Sequence, residues 1–277
     1  MSQKLFANAL QIAVTSKSEA DRFHTYHNIY EQPIFDVLRS KYMDFFKTWW
    51  KSYELPLVSS DKCVVMYETR CHPNLEFLIY NLTYYAKGWG LIIYCSKANY
   101  TFICDILQHN RYRALLYIVR DDEGGKEVRD IYNDFIKRPV FWNSLPCKYM
   151  LLCEIDAYLR RPLPDDVLNY DYICSKWPWH RDLIGGGGIS ICTIEAMQRI
   201  CNELPELADK IYSHDNWVAE AANQLNFKCN NTYFVEAAHF QNNNPIGLHN
   251  WWTFIIPHAI AELSHIYDNF LTLELPN

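Results

Sequence analysis

The sequence predicts an α/β fold: a mostly parallel sheet flanked by helices, with a helical extension at the amino-terminal end. Three observations carry this expectation. Short apolar runs without helical period recur along the chain, as in strands buried on both faces. Segments with apolar residues at helical spacing lie between them. From about residue 62 the two kinds alternate, and such alternation builds parallel sheets with right-handed crossovers.

Taken in order, residues 1–57 differ in character from the rest. Ser16 to Tyr30 is polar, whereas Pro33 to Tyr53 carries Ile34, Phe35, Leu38, Tyr42, Phe45, Phe46 and Trp49 at helical spacing. Two or three helices are expected here, packed on a main domain of residues 58–277. Leu55-Pro56 and Ser59-Ser60-Asp61 mark the boundary. The first strand is Cys63 to Tyr67, ending in the polar Glu68-Thr69-Arg70. A helix follows over Pro73–Ala86, a strand over Leu91–Cys95, a helix over Tyr100–Gln108 and a strand over Ala114–Val119. Helices over Glu127–Lys137 and Pro139–Leu145 lead to the segment that organises the rest.

That segment, Lys148 to Pro164, reads KYMLLCEIDAYLRRPLP. Tyr149 to Cys153 has the look of a central strand. Side chains two apart on a strand share a face, so Glu154 and Asp156 are expected together at its carboxyl end. Open α/β sheets bind ligands at that end. Two carboxylates there repel unless they share a cation, and oxygen ligands suit Mg²⁺ or Mn²⁺. Two solvated acids at a strand end are the plainer alternative.

Farther on, Asp171 to Lys176 reads as a short strand, followed by the aromatic cluster Trp177-Pro178-Trp179. Four consecutive glycines, Gly185 to Gly188, are conformationally expensive. A chain accepts them where backbone must approach something closely or take a positive φ. Ile189 to Cys192 then reads as a strand, with Thr193 capping a helix. A further helix runs from about Asp215 to Gln224, and an acid at its start serves as a cap. Tyr233 to Ala237 is a late strand. His249 sits in a loop before Trp251-Trp252, and the tail from His258 is helical through Tyr267.

Composition narrows the function. The net charge of −6 argues against a nucleic-acid partner, which a basic face would mark. No apolar stretch approaches the roughly 18 residues of a membrane span. The ten cysteines are scattered without a CxxC pair, which disfavours a zinc ribbon and favours a reducing compartment. With no signal-peptide pattern at the start, a cytoplasmic location is expected. Neither GxGxxG nor GxxxxGK[ST] occurs, so dinucleotide and P-loop fingerprints are missing.

The order of motifs resembles the GT-A glycosyltransferase plan: an acidic strand end, a glycine-rich loop, an acid at a helix start and a late histidine. More closely, Lys62 to about Trp252 is similar to a family of uncharacterised glycosyltransferase-like sequences. The matching motifs are Phe141-Trp142, Glu154-Ile-Asp156, Asp171 to Trp177, Gly185 to Gly188, His214-Asp215 and Pro245-Ile-Gly-Leu-His249-Asn-Trp251. Three positions depart from the usual pattern: Glu154 replaces Asp, Gly186 replaces Asn, and His214 stands where an acid is common.

The resemblance implies a GT-A-like Rossmann-type sheet and a metal-dependent transferase. Glu154, Asp156 and His249 would hold Mn²⁺ or Mg²⁺ against the diphosphate of a nucleotide-sugar donor. Tyr67, Glu68, Thr69 and Arg70 would meet the nucleotide. Trp177, Trp179, Gly186, Gly187, Gly188 and His214 would line the sugar and acceptor side. Asp215 would act as general base, giving inversion at the anomeric carbon. The acceptor would be a glycan, a protein or a small molecule. Two other classes stay open: hydrolysis or nucleotidyl transfer in the same pocket, and a non-catalytic binding module.

Overall fold

A computed structural model describes residues 19–58, 61–120, 128–176, 184–236, 244–252 and 268–275, with side chains from Tyr30 onward. Trp177 and Trp179, the strand end at Ala237 and the expected tail helix through Tyr267 lie outside the described residues.

Among the described residues of the amino-terminal region, Glu19–Trp50 forms one helix, α1; residues 1–18 of the expected two or three helices lie outside the described residues. It runs through Pro33. Strand β1 (Lys62–Tyr67), α2 (Leu75–Tyr85), β2 (Gly90–Cys95), α3 (Tyr100–Leu107) and β3 (Leu115–Ile118) alternate as expected. A turn of 3₁₀ helix over Gln108–Tyr112 follows α3, which therefore ends one residue early. Then come α4 (Val128–Ile136), α5 (Pro139–Ser144), β4 (Tyr149–Cys153), β5 (Ala157–Leu159) and β6 (Tyr172–Ser175). The remainder is β7 (Ile189–Thr193), α6 (Ile194–Glu203), α7 (Leu207–Lys210), α8 (His214–Gln224), β8 (Cys229–Glu236) and β9 (Gly247–His249). Thr193 caps α6 by accepting a hydrogen bond from the Ala196 amide.

Among the described residues, nine strands form one sheet in the order β3-β2-β1-β4-β7-β6-β8-β9-β5. Five neighbouring pairs are parallel; β7 runs antiparallel to both flanking strands, and β5 to β9. The fold is thus a mixed α/β layer with a mostly parallel sheet. Both sheet faces are covered, so alternate residues of one strand enter different cores. Val64, Met66, Ile93 and Leu151 join the core made with α1, α2 and α3. Val65, Ile92, Met150 and Leu152 join the core made with α4, α5, α6 and α8. Tyr67, Tyr94 and Tyr117 occupy one register across β1, β2 and β3. Their rings stack at 6.3 and 4.9 Å along the carboxyl end of the sheet.

Candidate metal centre

Strand β4 ends at Cys153, so Glu154 and Asp156 lie in the turn beyond it rather than on one strand face. Backbone pairing fixes both. The Glu154 amide donates to the Gly188 carbonyl at 2.7 Å, and the Asn250 amide donates to the Asp156 carbonyl at 3.1 Å. His249 is not in a loop: it ends β9, opposite Ala157 of β5 and Glu236 of β8. This pairing of β9 with β5 carries the imidazole to the carboxylates across a sequence separation of 93 (156 to 249).

His249 Nε2 lies 3.3 Å from Asp156 and 3.8 Å from Glu154. One ligand atom from each of the three residues falls within 4.8 Å of the others. An ion bound at about 2.1 Å to each ligand sets adjacent ligand atoms roughly 3 Å apart. The observed spacing therefore accommodates Mg²⁺ or Mn²⁺ with small adjustment, and the two-oxygen, one-nitrogen donor set suits either. Asp156 and His249 are buried, and Glu154 is a third exposed. Burial, with the neighbouring Asp156 charge, raises the Glu154 carboxyl, while His249 works against that rise. Burial pulls His249 down, but Asp156 and Glu236 outweigh it and hold the imidazolium well above its usual range.

The glycine run packs against this cluster. A Cβ on Gly186 would fall 1.2 Å from Glu236 Oε2, one on Gly187 2.4 Å from His214 Nε2, and one on Gly188 2.2 Å from His249 Nε2. None of the three takes a positive φ, so close approach, not backbone conformation, requires glycine. What approaches is the site's own side chains. His214 opens α8, after Ser213; the expected first residue, Asp215, is second. The His214 amide donates to Asn133 Oδ1 at 3.0 Å, and Tyr132 meets its ring edge-on at 5.2 Å. Asp215 is half-buried beside Gly187, its Cβ 3.1 Å from where a Cβ added at that glycine would sit.

At the end of β1, Arg70 Nε and Nη2 each donate to Glu68 at 2.8 Å, as does the Arg70 amide. Glu68 and Thr69 are buried, while the Arg70 side chain is 58% exposed and faces outward. Asn99 Nδ2 donates to the carbonyls of Glu68 and Arg70, and Ser96 to that of Thr69. This turn is pinned from below. Beside it a cleft of about 440 Å³ opens, lined by Tyr67, Arg120, Asp134, Phe135 and Arg138 among others.

The structure thus brings Glu154, Asp156, His249, Gly186 to Gly188, His214 and Asp215 into one cluster, with Tyr67 to Arg70 on the neighbouring strand end. Sequence reasoning missed Glu236, which faces His249 Nδ1 at 3.5 Å. It also missed Tyr132, Asn133 and the α1 residue Glu31, which accepts from Asn74 Nδ2 at 2.9 Å and lies 3.4 Å from His72. The acid at the end of an apolar strand was the one available signal for Glu236.

A family model described as "Protein of unknown function (DUF5672)" matches residues 124–250, the span that contains Glu154, Asp156, the glycine run, His214, Asp215, Glu236 and His249. No curated protein matches the chain. Among solved structures, the chain is similar to the apo form of mouse xyloside xylosyltransferase 1. The identity is 12% and the TM-score 0.47, over 77% of this chain and 94% of that one. No helix among the described residues is long and apolar enough to cross a membrane.

Proposed function

We propose that the protein is a metal-dependent glycosyltransferase that moves a sugar from a nucleoside-diphosphate sugar to an acceptor hydroxyl. One observation carries this reading: Glu154, Asp156 and His249 converge within 4.8 Å beside the carboxyl ends of parallel strands. Bound there, Mg²⁺ or Mn²⁺ supplies Lewis-acid stabilisation of a leaving diphosphate. Glu154, Asp156 and His249 would hold it. Arg70, restrained by Glu68, presents its outward guanidinium to the phosphates. Tyr67 forms the aromatic floor of the adjacent cleft, whose volume suits a small ligand. Asp215, beside Gly187, takes the acceptor proton as general base, which gives inversion.

The test is incubation with a panel of nucleotide sugars and Mn²⁺, with and without candidate acceptors. Acceptor-dependent release of nucleoside diphosphate supports the transferase. Free sugar formed without an acceptor points instead to hydrolysis, and pyrophosphate release from a triphosphate to nucleotidyl transfer. In the transferase, Asp215→Asn should lower turnover about 10²–10⁴-fold with donor binding nearly unchanged; wild-type turnover in that variant removes Asp215 from the mechanism.

A further inference from the structure

We propose that Glu236 is the positioning residue of the metal centre: it fixes the orientation and tautomer of His249 so that Nε2 faces the cation. This inference rests on the metal reading of Glu154, Asp156 and His249. His249 has a carboxylate on each side. Nε2 points to Asp156 and Glu154, while Nδ1 points to Glu236 Oε1 at 3.5 Å. A contraction of a few tenths of an ångström brings that last pair into the hydrogen-bonding range of about 2.7–3.2 Å. The nitrogen that keeps its proton is set by the partner of the other nitrogen. A carboxylate at Nδ1 keeps the proton there and leaves the Nε2 lone pair for a metal, the arrangement found behind many metal-bound histidines.

Glu236 is itself held. Ser175, fully buried, donates its hydroxyl to Glu236 Oε2 at 2.8 Å. Gly186 lies so close that any side chain there would displace the carboxylate. Register holds the backbone: Glu236 pairs with His249 directly across β8 and β9. A solvated acid at a strand end has no need of a buried serine, a glycine or a register partner. The inferred role also gives a reason for Gly186 that a sugar-contacting loop does not.

Calorimetric titration with Mn²⁺ of wild type, Glu236→Ala and Glu236→Gln tests it. Loss of such a partner weakens metal binding about 10–100-fold. Glu236→Ala should show that loss, and Glu236→Gln, whose amide oxygen still accepts from Nδ1, a smaller one. Nitrogen-15 spectra of histidine-labelled wild type with Mg²⁺, assigned by difference from His249→Gln, give a second readout that needs no Glu236 variant to fold. They should show the His249 proton on Nδ1. A proton on Nε2 overturns the proposal, as does a folded Glu236→Ala that binds Mn²⁺ like wild type. A wild type that takes no divalent ion at all overturns the metal reading and this inference together.

Discussion

A methyl group added at Gly188 would lie 2.2 Å from His249 Nε2, the atom that faces both carboxylates. Backbone on one side and β9 on the other leave the imidazole little room to yield. Gly188→Ala should therefore destabilise the fold by about 1–3 kcal/mol, the usual cost of overpacking, and also weaken Mn²⁺ binding. Urea unfolding and calorimetry measure the two effects; unchanged Mn²⁺ affinity would show that the ring does not serve as a ligand. His72 offers a pH test at a residue that is not itself one of the ligands. Its Nδ1 accepts from the Asn74 amide at 3.2 Å, and its Nε2 lies 3.4 Å from Glu31, an arrangement suited to the neutral ring. Burial, though offset in part by nearby Glu68, lowers its pKa. The unfolded chain then binds the proton more readily, so stability falls as pH drops from about 6.5 toward the depressed folded value. His72→Gln should flatten that part of the stability–pH curve; an unaltered slope would assign the acid sensitivity elsewhere.

Helix α1 reaches the site through Phe35, which is fully buried. Its ring meets Phe77, Tyr158 and Trp252 edge-on at 6.0, 5.9 and 6.2 Å. Tyr158 lies two residues past Asp156 and Trp252 three past His249, so one α1 side chain packs against chain segments that follow both. Phe35→Ala should cost about 3–5 kcal/mol. The loss should appear in one cooperative urea transition, seen alike by circular dichroism and tryptophan fluorescence. Two separate transitions would make α1 an autonomous extension. Little of this coupling was legible beforehand. Pro33 removes a helix hydrogen bond, yet α1 continues through it, held by the buried Ile34, Phe35 and Leu38. Strands β1, β2 and β4 were legible because burial on both faces makes their residues uniformly apolar. Glu236 was not, because its importance comes from pairing with β9, and no local pattern encodes a partner strand.

At the scale of the molecule, the sheet gathers groups that lie far apart in the chain: Glu154 and Asp156 past β4, the glycines before β7, His214 and Asp215 at α8, Glu236 on β8 and His249 on β9. The acidic strand end and the glycine run stood out in the sequence as local oddities. His249 was identified there through family resemblance alone, since a lone histidine before an aromatic pair carries no chemical signature. Its place beside Asp156 follows from the antiparallel pairing of β5 with β9, a long-range contact set by the whole fold. An unfolded chain holds these groups apart, so a cation that needs all three ligands binds the native state only. Mn²⁺ at a hundred times its Kd should then stabilise the protein by about 2.7 kcal/mol. For a chain of this size that is on the order of 5–10 °C in Tm. Asp156→Asn keeps the side-chain volume but removes the charge opposite His249, and should abolish most of the shift. A thermal-shift titration of both proteins measures it, and an equal Mn²⁺ response in wild type and variant would place the cation somewhere other than between Asp156 and His249.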